Sequence, residues 1–275
     1  MRRLVCASSC ALLFMTIAAA SGAQTTSAPD DANATKSTAG RPVYVHVNVG
    51  VQATSRDLVA PGAFELYEEA AVFETRGETG DGVLFDLGGN ILVWRDLAAG
   101  DLYAGVSYSI VTGDTGGPLT GNVPDVLRTD AHRPISGLTS GLGHTEHAVH
   151  LQAIWRHPIN NKIDVAVSAG PTIFSVSQEL VSGFAVNDGA PPTVGALTLT
   201  DASATSVGFN VGVDASYRLT PRLFAGGFVR YAGGSVDLTT PGGNLGAPGA
   251  PEEFSLDVGG LQVGVGIRVR FSGLW

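Results

Sequence analysis

LQVGVGIRVRFSGLW, Leu261 to Trp275, puts an apolar side chain on every second position. Leu261, Val263, Val265, Ile267, Val269 and Phe271 alternate with Gln262, Gly264, Gly266, Arg268 and Arg270. Period two belongs to a β-strand, whose successive side chains point to opposite faces. One face is Val, Ile and Leu. The other is mostly glycine with two arginines, which is too small and too sparse in charge for a solvated sheet surface. It suits a narrow interior where long side chains need room.

The same alternation recurs upstream. VYVHVNVGVQA sets Val43, Val45, Val47, Val49 and Val51 against His46, Asn48, Gly50 and Gln52. GVLFDLGGNILVW, DLYAGVSYSIV, HAVHLQAIWRH, IDVAVSAGPTIF, SVGFNVGVDASYRL and RLFAGGFVRYA follow, and with the terminal stretch they make eight strands. The connections alternate in length. RDLAAG, HPINNK and LTPR are short, whereas about 53–81, 113–146, 175–205 and 235–257 are long and rich in Gly, Pro, Thr, Asp and Ser. That rhythm fits an up-and-down barrel with tight turns at one end and large loops at the other. AFELYEEAAVFET, around residues 64–75, is an extra strand-like segment and reads as a hairpin arm within the first long loop.

Strands of 10 to 12 residues, rising about 3.3 Å per residue and tilted roughly 40°, span the ~25 Å apolar band of a membrane barrel. Lipid offers no hydrogen bonds, so strands within it must close into a ring. The Val, Leu and Phe faces then meet lipid, with Tyr108, Trp155, Tyr217, Tyr231 and Phe271 near strand ends, where interfacial aromatics belong. Eight strands leave an interior that side chains fill. Asp86, Asp164, Asp214, Arg156, Arg218, Arg230, Arg268 and Arg270 have inward parity. Isolated charges there are costly, so ion pairs and trapped water are expected in a packed lumen.

The other end carries MRRLVCASSCALLFMTIAAASGA, with two arginines, an apolar run and small residues. Residues 1–23 read as a secretory signal peptide. Residues 24–41 have no large apolar side chain and read as a disordered periplasmic leader, and 42–275 as an outer-membrane β-barrel. Cys6 and Cys10 fall in the signal segment, so the mature chain has no disulfide. Removing Arg2 and Arg3 from the 16 basic residues leaves 14 against 25 acidic, a net charge of −11. An acidic chain without a basic stripe excludes nucleic acid as partner.

These eight alternating strands, the turn YRLTPRLFAGGFVRY and the terminal aromatic strand resemble the small outer-membrane β-barrel proteins of Gram-negative bacteria, of the OmpA transmembrane-domain and OmpX type. The resemblance implies location in the outer membrane, contact with its lipid, and recognition of the last strand by the barrel-assembly machinery. Val265, Ile267, Val269, Phe271 and Trp275 match that C-terminal signal, while Gly273 departs from it.

Chemistry-bearing motifs are sparse. His144, His147 and His150 sit at i, i+3 and i+6, so on a strand the middle one opposes the other two. They make a poor zinc cluster and read as polar residues at a loop edge. No Ser-His-acid set, phosphate-binding Gly-Lys motif or dinucleotide fingerprint is present. The expectation is therefore a non-enzymatic barrel with no cofactor or metal. Its role is structural or barrier-forming; the alternative is a surface-binding or adhesion barrel whose long loops meet an unnamed surface ligand. A small porin or a lipid-modifying enzyme ranks below both.

Overall fold

The computed structural model describes residues 41–53, 56–79, 82–240 and 253–271. The expected signal peptide, the leader up to residue 40 and Trp275 lie outside the described residues. Ten strands follow one another. They are β1 (Val43–Gln52), β2 (Arg56–Leu66), β3 (Glu69–Thr79), β4 (Gly82–Leu97), β5 (Gly100–Asp125), β6 (Arg128–Pro158), β7 (Ile163–Asn187), β8 (Thr193–Arg218), β9 (Leu223–Thr239) and β10 (Glu253–Phe271).

Eight of them close an antiparallel ring in the order β1-β4-β5-β6-β7-β8-β9-β10. The closing seam joins β1 to β10 over ten residue pairs, from Val43↔Phe271 to Gln52↔Gln262. This is the eight-stranded up-and-down barrel that the alternation implies. β2 and β3 stand outside the ring as the expected hairpin arm, attached where Val72–Thr75 pair with Leu119–Asn122.

The short turns hold their shape by local chemistry. Between β6 and β7, Asn160 Oδ1 accepts from the backbone N–H groups of Lys162 and Ile163. Between β8 and β9, Thr220 Oγ1 does the same for Arg222 and Leu223. Such side-chain mimicry of a backbone turn is what Asn and Thr supply at tight reversals.

The strand lengths correct the sequence reading. β5, β6, β7 and β8 run for 26, 31, 25 and 26 residues, and most of the expected long loops are strand. At about 3.3 Å per residue and ~40° tilt, 25 residues reach roughly 60 Å, more than twice the apolar band. The reason is an inversion of polarity along each strand. On β7 the outward residues are Ile163, Val165, Val167, Ala169, Pro171 and Ile173, then Ser175, Ser177 and Glu179. The inward residues are Asp164, Ala166, Ser168, Gly170 and Thr172, then Phe174, Val176, Gln178 and Leu180. β8, β9 and β10 invert at the same level, where Val207, Tyr231 and Leu261 give way to Thr205, Gly233 and Gly259 and then Ser or Asp. Period two runs on through this level; only the face that carries the apolar residues changes.

Below the inversion the ring is polar inside and apolar outside, from Tyr217 to Val207 on β8 about 25 Å. Above it lies a head with an ordinary apolar core. Ring pairing ends at Gln52↔Gln262, Gln178↔His144 and Phe209↔Gly233, and the strands continue as a β2-β3-β5-β6 sheet, a β7–β8 hairpin and a β9–β10 hairpin. Leu58, Phe174, Val176, Leu180, Val236, Leu238, Leu256 and Val258 pack these leaves together directly over the lumen. A second cluster higher up includes Phe73, Leu119, Ile135 and Phe184, with Phe64, Phe73 and Phe184 edge to face at 4.8–6.0 Å. At the short-turn end Tyr44, Leu92, Tyr103, Ile154 and Phe224 form an apolar layer across the barrel.

Candidate functional site

The lumen lies between those two apolar layers, and all eight ring strands send polar side chains into it. Asp86 on β4 is its centre, 1% exposed. Arg230 Nη2 donates to Asp86 Oδ2 at 3.1 Å, Asn48 Nδ2 donates to Oδ1 at 2.8 Å, and His46 Nε2 stands 3.2 Å from Oδ1. Gly88 makes room for this grouping, since a Cβ there would lie 2.7 Å from His46 Cε1. Arg230 also donates through Nε to Gln262 Oε1 at 2.7 Å and through Nη1 to Ser107 Oγ at 3.3 Å. An ion pair this buried persists only where further hydrogen bonds satisfy the remaining donors and lone pairs, and here they do so from β1, β5 and β10.

From Gln262 the network climbs. Gln262 Nε2 donates to Gln52 Oε1 at 2.9 Å, and Gln52 Nε2 donates to Glu146 Oε2 at 3.3 Å. Glu146 also accepts the Gly259 N–H at 3.0 Å and lies 3.0 Å from His144 Nε2. His144 Nδ1 reaches Gln178 Oε1 at 2.8 Å. A second branch joins Ser109, His150, Thr172, Asn210 and Gln152 through contacts of 2.8–3.0 Å. The remaining space beside Asp86 and Arg230 is a cavity of about 60 Å³, lined also by Gln152, Ser168 and Arg268. That is room for a few waters bridging polar groups, not for a solute.

All eight charged residues expected in the lumen lie on inward faces, but they do not form one cluster. Asp86 pairs with Arg230, and Asp214 with Arg268 lower down. Arg156 instead lies over the Tyr44 ring at 4.4 Å and the Tyr103 ring at 5.7 Å, and Arg218 lies over Phe224 at 5.6 Å. Asp164 is buried, and neither it nor Arg270 forms an ion pair with a described residue.

The histidines correct another expectation. His144 and His150 are not loop-edge residues; they are buried network members in the middle of β6. His147 faces outward, stacked on Tyr108, whose hydroxyl is 2.7 Å from its Nδ1. Among the described residues no group of three His, Cys, Asp or Glu side chains stands together to hold a metal. The neutral members Asn48, Gln52, Gln178, Asn210 and Gln262 were missed by counting charges. Their inward parity beside Asp86, Arg230 and Arg268 was the available signal.

Comparison with known proteins adds a likeness of shape. No protein-family model matches the chain, and no curated protein sequence matches it. Among solved structures it is similar to Neisserial surface protein A (NspA), at 13% identity over 83% of this chain and 97% of that one, with a TM-score of 0.41. It is similar to Ail, the attachment invasion locus protein of Yersinia pestis, at 10% identity over 85% and 97%, with a TM-score of 0.30. It is also similar to the outer membrane protein AlkL studied in DMPC lipid bilayers, at 13% identity over 92% and 99%, with a TM-score of 0.36. The architecture above rests on the chain's own strand pairing.

A second group of polar side chains ties the tips of the head. The β2–β3 turn places Tyr67 and Glu68 at φ of 55° and 64°, left-handed values that favour glycine. Tyr67 Oη donates to Asp188 Oδ2 at 2.8 Å, and Arg133 Nη2 donates to Asp188 Oδ1 at 2.8 Å. The hydrogen bond from Tyr67, aided by Arg133, lowers the Asp188 pKa, and the same bond raises that of Tyr67. Three hairpin ends are thereby clasped by one carboxylate.

Proposed function

We propose that this chain is an integral outer-membrane β-barrel protein with a structural and barrier role, holding a packed lumen rather than a wide pore. The observation that carries the reading is the inversion of polarity at one level of the ring. A band of Val, Ile, Leu, Phe and Tyr about 25 Å tall faces outward, and a closed strand ladder leaves no open edge within it. The head then stands outside the cell and the short turns face the periplasm, where outer-membrane barrels keep them. Lipid surrounds the barrel, and the assembly machinery inserts it through the β10 signal. The network between two apolar layers supports a sealed interior.

The test is membrane fractionation with heat-modifiable gel migration, followed by planar-bilayer recording. The expected result is a detergent-dependent, heat-modifiable protein with no steady large conductance. A protein soluble in the periplasm overturns the membrane reading, and a stable high-conductance channel overturns the sealed lumen.

A second reading, a surface-binding head, is favoured by the recess between the hairpin tips. Tyr67, Glu69, Pro124, Asp125, Val126 and Leu127 border it, and Leu127 is 88% exposed. Loss of cell attachment on deleting 124–128, with the barrel still assembled, would support that role.

A further inference from the structure

The ring opens between β8 and β9 at the level where polarity inverts. Their pairing ends at Phe209↔Gly233, above which β8 follows β7 and β9 follows β10. A hollow of about 380 Å³ lies at the foot of this opening. Its outer side is Val207, Phe209 and Tyr231, all facing out, with Val207 73% exposed. Gly208, Gly233 and Gly234 form its floor. The floor is thin of necessity: a Cβ on Gly208 would run into the Gly233 carbonyl oxygen, and one on Gly234 would lie 3.2 Å from the Phe174 ring.

Two opposite charges border the hollow, Arg56 at the start of β2 and Asp257 on β10. They form no ion pair with each other. Arg56 is half-buried, and its Nη1 is shielded from solvent without a hydrogen-bond partner among the described residues. A shielded, unpartnered guanidinium nitrogen is costly, and the guanidinium favours an anionic partner. Directly below, the outward face continues as Val211, Val213, Val229 and Val265.

We propose that this hollow seats one membrane lipid whose headgroup carries a phosphate and an ammonium. The phosphate meets Arg56, the ammonium meets Asp257, and the acyl chains descend along the valine face past Phe209 and Tyr231. Charge complementarity selects this occupant. A purely apolar ligand answers neither charge, and a simple anion leaves Asp257 unanswered. The level agrees as well, because the hollow sits where the outward face changes from apolar to Ser, Thr and Asp, the depth of a headgroup. The proposal rests on the membrane-barrel reading and adds a position and a chemistry to it.

Native mass spectrometry of the full chain, released from detergent, tests it. Heat-modifiable migration is scored first; a protein that never shows it fails the membrane reading itself, whatever binds. For a folded barrel the probes are phosphatidylethanolamine, phosphatidylglycerol and diacylglycerol with identical chains, and inorganic phosphate. The expected result is one retained lipid per barrel, tightest for phosphatidylethanolamine and weakest for diacylglycerol. Arg56→Gln should weaken both phospholipids about tenfold, the scale of one charge-assisted hydrogen bond. Asp257→Asn should bring phosphatidylethanolamine down to phosphatidylglycerol, and Arg76→Gln, elsewhere on the head, should change nothing. Equal retention of diacylglycerol and phospholipid by the wild type overturns the proposal, even if Arg56→Gln fails to fold. So does unchanged retention in a folded Arg56→Gln, or binding of inorganic phosphate alone.

Discussion

Removing the Asp86 carboxylate is the sharpest probe of the sealed lumen. Asp86→Ala leaves Arg230, 5% exposed, with Gln262 and Ser107 but no counter-charge. An uncompensated buried charge costs about 3–5 kcal/mol. Asn48 and His46 lose their shared acceptor at the same time. Asp86→Ala with Arg230→Met removes both charges and fills part of the space. It should cost only about 1–2 kcal/mol, for the hydrogen bonds that Asn48 and Gln262 lose. The two substitutions are therefore strongly non-additive, with the double variant more stable than the Asp86→Ala single. Urea titration in phospholipid vesicles, followed by heat-modifiable migration and tryptophan fluorescence, measures all three variants. A cost below about 1 kcal/mol for Asp86→Ala would refute the reasoning, because it would mean that bulk water reaches Arg230 and that the lumen is hydrated rather than packed.

Other outcomes follow from topology, pH and assembly. A protease site inserted at Val126–Leu127 should be cut on intact cells, whereas one at Asn161 should be cut only after the outer membrane is opened; the reverse pattern inverts the orientation. The Tyr67–Asp188–Arg133 clasp should hold the hairpin tips across neutral pH. Its Asp188 contribution is complete above the ordinary aspartate range and is lost only as pH falls through the lowered folded value. Its Tyr67 contribution is complete below 10 and is lost as pH rises through the raised value. Amide exchange at residues 66–69 should quicken at both extremes, and Asp188→Asn should flatten the acid limb. Phe271→Asp places an acid on the outward rim of β10, where a charge near the interface costs about 1 kcal/mol or less. Refolding in detergent should be near normal while assembly in cells fails; normal assembly would show that this strand is not read as a signal.

The ring was legible because the relevant signal is local. Val43 to Val51 and Leu261 to Phe271 alternate without a break, and their pairing follows once no edge is left in lipid. The head was not, although its strands keep the same period. GDTGGPLTGNVPD carries Gly, Pro, Thr and Asp at the density of a loop, yet Val111, Thr115, Leu119 and Val123 all point inward along β5. On the paired strand a bulge opposite Thr115–Gly117 breaks the count: buried Ile135 and Thr139 are followed by buried Leu142 and His144, so parity read straight through β6 fails. In the lumen, Asp86 and Arg230 were legible as inward charges, but not as partners. They are 144 residues apart, and only ring closure brings β4 and β9 face to face across the interior. Glu146 and His144 were hidden by lying in an expected loop.

The uninterrupted passage of β5, β6, β7 and β8 from short turn to tip has a mechanical consequence. Along these four strands no linker separates the head from the ring, so they resist any nod or swivel of the head on its base. A pull on the clasped tips travels along four covalent strands into the barrel wall. The hydrogen-bonded ladders beside them are loaded in shear, many bonds at once, instead of being unzipped singly. In the proposed membrane setting the molecule is a stiff post that keeps its outermost residues at one height and one heading over the bilayer.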